Sequence, residues 1–306
     1  MTTSAEPKAG ENVNGEHMAS ELMSQPDTWA RALTLRTERA LLPEPGRKVA
    51  VIGCGTSWFM AQSYAVLRER SGQGITDAFA ASEAFVNRDY DDIIALTRSG
   101  TTTEVLELVD ANRGRTHVIG IVGDDSSPFV DRVDELIALP FADEKSVVQT
   151  RFATTALAFL RASLGEDLEP AIADARHAVV DELDDDLVAS TQFTFLGRGW
   201  SVGLANEAAL KMREASQSWT ESYPAMEYRH GPISIAAPGR VTWMFGQAPT
   251  GIEHDVAATG ARFVSSDLDP LAELIRAQKL ALLRARAQGL NPDLPRNLTR
   301  SVILDS

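Results

Sequence analysis

Short runs of apolar and β-branched residues alternate along the chain with longer stretches in which apolar residues recur every three to four positions. The short runs predict strands and the longer stretches predict helices. The predicted strands cover residues 48–52, 92–96, 117–122, 136–140, 193–196, 240–245 and 261–264. Helices are predicted at 29–40, 60–70, 102–112 and 168–183 and from residue 204 onwards. Because strands and helices alternate, we expect an α/β protein of two doubly wound, three-layer domains with parallel sheets.

Two strand–loop–helix units carry the same residues at a constant offset of 144 positions. The residues of the first unit, Gly53, Gly55, Ser57, Ala61 and Ala65, recur as Gly197, Gly199, Ser201, Ala205 and Ala209. This weak internal repeat supports a duplicated domain. Neither loop completes the three-glycine pattern of dinucleotide-binding loops, since Trp58 and Val202 occupy the third position. No nicotinamide or other cofactor is therefore predicted.

The strand at 92–96 runs into a loop that is rich in hydroxyl groups. Residues 97–103 carry five serine or threonine side chains, and they lie where the next helix is predicted to begin. Such a loop can bind an oxyanion, because backbone N–H groups at a helix start are unpaired and Gly100 permits close approach of the backbone. Helix capping is the alternative, but a cap needs one residue rather than five. The loop is therefore predicted to bind phosphate.

The helix after the second glycine loop carries a second group of candidate residues. Glu207, Lys211 and Glu214 are spaced by four and then three positions, so they share one face of the helix. A ladder of surface ion pairs is the alternative reading of this spacing. Spacing alone favours the ion-pair ladder at least as much as a catalytic group.

The overall charge narrows the class of partner. The chain has 43 acidic and 29 basic residues and a formal net charge of −14. This charge repels nucleic acid and anionic membranes, and no basic patch offsets it. No run approaches the roughly 20 apolar residues of a membrane span, and residues 1–17 lack a signal-peptide core. We expect a cytoplasmic protein with a disordered tail at 1–17 that binds neither nucleic acid nor membrane.

Cysteine and histidine usage argues against a disulfide and a metal site. Cys54 is the single cysteine, which suits a reducing compartment. The five histidines show no metal-ligand spacing, so no metal is predicted; they are His17, His117, His177, His230 and His254. Only His230 lies in a polar, turn-like segment that could present an imidazole at a site.

Several separated motifs together resemble the sugar isomerase (SIS) family of phosphosugar proteins. They are GCGTS at 53–57, ALTRSGTTTEVLEL at 95–108, EAALKMRE at 207–214, HGP at 230–232 and LPRNLTRSV at 294–302. Within the family, the chain from about residue 18 onwards is similar to the isomerase half of glutamine-dependent glucosamine-6-phosphate synthases. The resemblance implies two flavodoxin-like SIS domains at 18–167 and 168–290, followed by an active-site tail at 291–306.

The resemblance also implies which residues bind a small phosphorylated sugar. The positions expected to hold it are Ser57, Thr97, Ser99 and Thr102, with Arg98 where the synthases have glutamine and Thr101 where they have glutamate. Glu144, Val147 and Gln149 match a segment that contacts the sugar. The residues at 98 and 101 make the loop less acidic than that of the synthases, which is compatible with phosphate binding.

For catalysis, the resemblance gives Glu214 the role of moving a proton between C1 and C2 of the sugar. One carboxylate suffices, because aldose–ketose interconversion passes through an enediol or enolamine. Glu207 and Lys211 match residues around the same sugar. His230 would open the sugar ring and would reach into the site of a partner subunit, which implies a homodimer.

Two departures from the synthases change the expected reaction. The sequence contains no glutaminase domain, and Arg300 replaces the sugar-binding lysine of the tail. Arg300 stays protonated and forms no Schiff base, so it is expected to anchor the ring oxygen or an acidic substituent. We therefore expect isomerisation or deamination of an amino-sugar phosphate. Removal of the amine from a fructosamine 6-phosphate is one alternative, and a non-catalytic sugar-phosphate regulator is another.

Overall fold

The computed structural model describes residues 14–304. The first half contains α1 (Glu16–Met23), α2 (Gln25–Ala32), α3 (Arg36–Arg39), β1 (Val49–Gly53), α4 (Thr56–Arg70), β2 (Thr76–Ala80), β3 (Asp92–Thr97), α5 (Thr103–Asn112), β4 (His117–Val122), β5 (Glu135–Ala138) and α6 (Arg151–Ser163). The second half contains α7 (Glu169–Val180), α8 (Asp185–Ala189), β6 (Gln192–Gly197), α9 (Ser201–Ser216), β7 (Thr220–Pro224), β8 (Arg240–Phe245), α10 (Ile252–Ala258), β9 (Arg262–Val264) and α11 (Pro270–Ala287).

The strands form two sheets in which every pairing is parallel. The first sheet has the order β2-β1-β3-β4-β5 and the second has the order β7-β6-β8-β9. The first four strands of each half thus follow the same doubly wound path. The predicted fold class, two parallel-sheet α/β domains, is confirmed.

The sequence pattern missed two strands, β2 and β7. Both lie at the edge of their sheet and are only partly buried, with the sequences TDAFA and TESYP. An edge strand has one neighbour and one covered face, so it does not need the continuous apolar run of a central strand. By contrast, every residue of β1, β3 and β6 is buried, and the sequence predicted all three.

Two segments near the N-terminus differ from the prediction. The helix expected at 29–40 is two helices, α2 and α3, because the chain leaves helical geometry at Leu35. At the N-terminus, α1 begins at Glu16, inside the tail expected at 1–17; residues 1–13 of that tail lie outside the described residues. The backbone of α1 is tied down, since Asp293 accepts hydrogen bonds from the N–H groups of His17 and Met18 at 2.9 and 2.8 Å.

Helices α4 and α9 pack against each other where the two halves meet. A Cβ atom on Gly203 would lie 2.3 Å from the carbonyl oxygen of Phe59, so only glycine permits this approach. Nearby, Asn206 donates a hydrogen bond to Gln62 at 2.8 Å. Both pairs are separated by the 144 positions of the repeat, so equivalent residues of the two halves touch each other. The halves are therefore related by an approximate two-fold axis through this helix pair.

One hydrophobic core joins the two sheets. It includes Val49 and Ile94 of the first sheet, Phe193 and Trp243 of the second, and the apolar residues of α6. Among residues 14–304, no helix combines the length and apolar character that crossing a bilayer requires. The shared core makes the two halves one packed unit, which holds residues from both at a common site.

Candidate functional site

A cavity of about 170 Å³ opens at the carboxyl ends of β1 and β3. These strands flank the point where the strand order of the first sheet reverses, which is the usual ligand position in doubly wound sheets. The cavity is lined by Cys54, Gly55, Thr56, Arg98, Thr102, Val147, Gln149, Lys211, Glu214 and residues 298–302. It therefore combines the first glycine loop, the hydroxyl loop, the end of α9 and the C-terminal tail.

The hydroxyl loop is shaped by its own side chains. The Thr97 hydroxyl accepts a hydrogen bond from the N–H group of Gly100 at 3.2 Å. The Ser99 hydroxyl accepts from the N–H group and the hydroxyl of Thr101, at 3.3 and 3.0 Å. Thr102 is the N-cap residue of α5, yet its side chain makes no capping hydrogen bond and lines the cavity instead. The capping alternative thus fails at the residue to which it would apply.

Residue Ser57, the other expected phosphate contact, is buried in the first turn of α4. Ser57 does not line the cavity, but its neighbour Thr56 does, and the Thr56 hydroxyl donates to Glu207 at 3.3 Å. Gly55 before them has a φ of +53°, a conformation that favours glycine. The first glycine loop therefore contacts both the cavity and α9.

Glu207, Lys211 and Glu214 of α9 form a buried cluster rather than a surface ladder. The side chains of Lys211 and Glu207 are each 1% exposed, and their charged atoms lie 3.5 Å apart. Lys211 also pairs with Glu214, whose side chain is 20% exposed. Lys211 and Glu214 line the cavity, so the more accessible carboxylate of the cluster is the one that faces it.

Burial changes the charges that this cluster carries. Desolvation raises the pKa of Glu207 to about 8, against the opposing effect of Lys211. Burial by itself lowers the pKa of Lys211, but Glu207 and Glu214 outweigh it and raise that pKa. At neutral pH, Glu207 is therefore largely protonated, and Lys211 and Glu214 form the ion pair. The cluster is close to neutral overall, which suits an anionic ligand beside it.

The segment expected to contact the sugar divides into two parts. Val147 and Gln149 line the cavity, and the side-chain oxygen of Gln149 has no partner among the described residues. Glu144 is 1% exposed and accepts hydrogen bonds from the backbone N–H groups of Thr150, Arg151 and Phe152 at 2.6, 2.9 and 3.2 Å. Those contacts show that Glu144 caps α6, and its place beside the sugar stays a prediction.

The hydrogen bonds of Arg98 and Arg300 hold the C-terminal tail in place over the cavity. The guanidinium of Arg98 donates to the carbonyl oxygens of Ser146, Val147 and Arg300 at 2.8, 3.2 and 2.7 Å. The guanidinium of Arg300 binds both carboxylate oxygens of Asp143, at 2.6 and 2.8 Å. In this arrangement both arginines bind protein groups, which sequence reasoning did not anticipate.

The tail also contacts the hydroxyl loop directly. The hydroxyl groups of Thr101 and Ser301 are hydrogen bonded to each other at 2.8 Å, and the N–H group of Thr103 donates to the carbonyl oxygen of Val302 at 3.1 Å. The expected tail and the expected phosphate loop thus form one side of the cavity. His230 lies elsewhere, exposed at the end of a short helix at 227–230, and it does not line the cavity of its own chain.

Sequence reasoning did not single out Thr56, Asp143 or Glu21 as residues of the site. Thr56 lies inside the GCGTS motif, Asp143 precedes the sugar-contacting segment by one residue, and Glu21 is a buried residue of α1. Glu21 accepts hydrogen bonds from the backbone N–H groups of Lys145 and Ser146 at 2.5 and 3.4 Å. Proximity to a motif could have indicated the first two. No signal in the sequence connects Glu21 with a segment more than 120 positions away.

Comparison with known proteins confirms the resemblance and the fold. No protein-family model matches the chain. Curated relatives include the glutamine–fructose-6-phosphate aminotransferases (isomerizing) of Sulfolobus acidocaldarius and Synechocystis, which are 25% and 28% identical over 84% of the chain. The chain spans about half the length of these relatives, 50% and 51%. The similarity to the isomerase half of such enzymes is thus shown over most of the chain.

Solved structures share the whole fold at low sequence identity. A glucosamine-6-phosphate deaminase from Thermotoga maritima superposes with a TM-score of 0.82 at 23% identity, covering 94% of this chain and all of that one. A tagatose-6-phosphate ketose/aldose isomerase from Escherichia coli gives a TM-score of 0.76 at 19% identity and covers 94% of this chain and 95% of its own. These similarities establish two parallel-sheet domains of the same architecture.

Proposed function

We propose that the protein is a phosphosugar isomerase-type enzyme that acts on an amino-sugar phosphate, by aldose–ketose isomerisation or deamination through an enediol or enolamine. One observation carries the proposal: Glu214 is the accessible carboxylate of a buried cluster, and it faces the same small cavity as the hydroxyl loop. A phosphate bound at the loop would leave the first carbons of the sugar beside this carboxylate. The activities of the structural neighbours, a deaminase and a ketose/aldose isomerase, support the same chemistry.

The geometry suggests a separate role for each residue of the site. Glu214 would remove the proton beside the carbonyl or imine and return it one carbon away, and Lys211, which pairs with Glu214, would hold its carboxylate in position. Neutral Glu207, hydrogen bonded by Thr56, would keep the site free of a second negative charge. Thr102 and the backbone of the hydroxyl loop would bind the phosphate.

Turnover is the direct test of this proposal. The protein is incubated with glucosamine 6-phosphate and with fructosamine 6-phosphates, and ammonia, free amine and ketose are assayed. We expect release of ammonia or formation of ketose from glucosamine 6-phosphate. Release of an amine or amino acid from the fructosamine phosphates alone would identify a deglycase instead. Binding of these sugars without any turnover would support a non-catalytic regulator.

Glu214→Gln is expected to lower kcat by about 10²–10⁴-fold, the usual contribution of a general base. The matched control is Glu253→Gln, an exposed glutamate of α10, which should leave kcat unchanged. Both variants should bind the sugar phosphate equally well. Equal kcat values for the two variants would remove Glu214 from the mechanism.

We further propose that the enzyme is a cytoplasmic homodimer in which His230 completes the site of the partner subunit. Its exposed position, away from the cavity of its own chain, is the basis for this arrangement. Mixing Glu214→Gln with His230→Gln should restore activity, because mixed dimers contain one site with both native residues. An inactive mixture that contains mixed dimers would show that His230 does not act across the interface.

A further inference from the structure

A second cavity, of about 460 Å³, lies at the carboxyl ends of β6 and β8. These strands flank the reversal of strand order in the second sheet, so the cavity occupies the same place there as the first cavity does in the first sheet. Its lining residues are Arg70, Arg198, Gly199, Trp200, Ser201, Phe245, Gly246, Gln247 and Pro270. Nothing in the proposed function uses this cavity.

The 144-residue repeat relates the walls of the two cavities residue by residue. Gly55 and Thr56 of the first cavity correspond to Gly199 and Trp200 of the second. Glu214, at the end of α9, corresponds to Arg70, at the end of α4. Each cavity is thus built from the glycine loop of one half and the helix end of the other. The second cavity has arginine where the first has its accessible carboxylate.

The arginines of the second cavity come from both halves of the molecule. Arg70 reaches across from α4, and a Cβ atom on Gly199 would lie 3.5 Å from its guanidinium. Arg198 belongs to the glycine loop itself. Within residues 14–304, neither guanidinium has a hydrogen-bond or ion-pair partner, although the chain carries a net charge of −14. Both arginines belong to the exposed lining of one cavity, and an anion bound between two such cations would offset their mutual repulsion.

We propose that this second cavity binds a phosphate group, as inorganic phosphate or as a phosphate monoester, without chemical change to it. Arginine suits this ligand because its planar guanidinium donates two parallel hydrogen bonds to phosphate oxygens. The second cavity has no ionisable side chain at the two positions that are equivalent to Glu207 and Lys211. Ser63 and Leu67 stand where the first site has Glu207 and Lys211. The proposal rests on this cavity alone and does not depend on the proposed function.

Protection from chemical modification tests the site on the unaltered full chain. Phenylglyoxal modifies accessible arginines, and mass spectrometry measures the modification at each position. Inorganic phosphate should slow the modification of Arg70 and Arg198 several-fold and leave Arg115, an exposed arginine on a turn, unaffected. Glucosamine 6-phosphate is the second probe, and the probe that protects at the lower concentration identifies free phosphate or a monoester as the ligand. Equal modification with and without both probes would overturn the proposal.

Calorimetry separates this site from the first one. Inorganic phosphate is titrated into the chain with Ser99→Ala and Thr102→Ala, which weaken the first site, and then into the same chain with Arg70→Gln and Arg198→Gln added. We expect the added changes to weaken the remaining binding by at least about tenfold, the effect of losing charge-assisted hydrogen bonds. Arg115→Gln is the matched control and should change nothing. Unchanged affinity after loss of both arginines would contradict the proposal. That result would not bear on the proposed function, which is tested separately by turnover of the wild-type chain.

Discussion

The two cavities are built on the same backbone and differ in what surrounds them. Each lies at the reversal of strand order of its sheet, beside a glycine loop whose second glycine has a positive φ, +53° at Gly55 and +59° at Gly199. Helices α4 and α9 run in opposite directions between them, so each helix begins at one cavity and ends at the other. The helix ends differ: α9 brings Lys211 and Glu214 to the first cavity, and α4 brings Arg70 to the second.

The first cavity also has a wall that the second does not. The fifth strand of the first sheet leads into the segment 143–149, whereas the second sheet has four strands in the part of the chain that is described. Val147 and Gln149 of that segment line the first cavity, and the C-terminal tail covers it. Duplication of a fold thus supplies two equivalent crevices, and the added segments together with a few side chains decide what each can do.

The largest expected effect lies at a pair of equivalent positions on the two helices. Lys211→Met removes the buried cation that lies between Glu207 and Glu214 and should lower the free energy of unfolding by about 3–5 kcal/mol, because Glu214 loses its partner. Leu67→Met at the equivalent position of α4 should lower it by less than about 1.5 kcal/mol. Urea unfolding of both variants gives the comparison. Equal losses would show that the pairing of Lys211 with Glu214 does not stabilise the fold.

A change where α4 and α9 pack against each other, between the two cavities, should destabilise the protein. Gly203→Ala places a methyl group against the Phe59 carbonyl oxygen and should lower the free energy of unfolding by about 1–3 kcal/mol, although alanine favours helix over glycine. Thermal unfolding measures the loss. A stability equal to or above that of the wild type would show that the two helices are not in tight contact at this point.

An effect that depends on pH concerns the wall that only the first cavity has. Burial, and then the nearby Glu144, raises the pKa of Glu21 from 4.5 to about 7. The folded state therefore holds the Glu21 proton more tightly than the unfolded state, so this residue contributes stability at low pH that is lost as the pH rises from about 4.5 to about 7. Glu21→Gln resembles the protonated form and should remove this part of the loss, about 2–3 kcal/mol between pH 5 and pH 8.

The measurement for Glu21 is the difference in unfolding free energy between pH 5 and pH 8. Wild-type protein should lose more stability over this interval than Glu21→Gln, while the buried Glu207 contributes in the same direction to both. The matched control is Glu16→Gln, an exposed glutamate of the same helix. A variant that loses as much stability as the wild type would show that Glu21 does not titrate in this range.

Much of the fold was predictable because central parallel strands are covered on both faces. The runs at 117–122 and 240–245 match β4 and β8 at both ends. Edge strands escaped prediction, since their partly exposed residues carry little of the same pattern. The offset between Gly53 and Gly197 correctly indicated two halves with the same strand order.

The candidate site was predictable to the extent that its residues lie in motifs. Thr102, Gln149 and Glu214 lie at one cavity, in agreement with the resemblance. The phosphate and proton-transfer roles of these residues stay predictions. The contacts of Glu144, Arg98 and Arg300 could not be predicted, because each depends on which backbone groups other segments bring nearby.

The sequence by itself determined the alternation of strands and helices, the duplication and the hydroxyl loop, because these depend on residues that are close together along the chain. Only the tertiary structure decided that Arg70 occupies in one cavity the position that Glu214 holds in the other. The repeat aligns these residues in sequence. They line equivalent cavities only because α4 and α9 cross, which places the end of each helix beside the glycine loop of the other half. Packing at Gly203 makes that crossing possible.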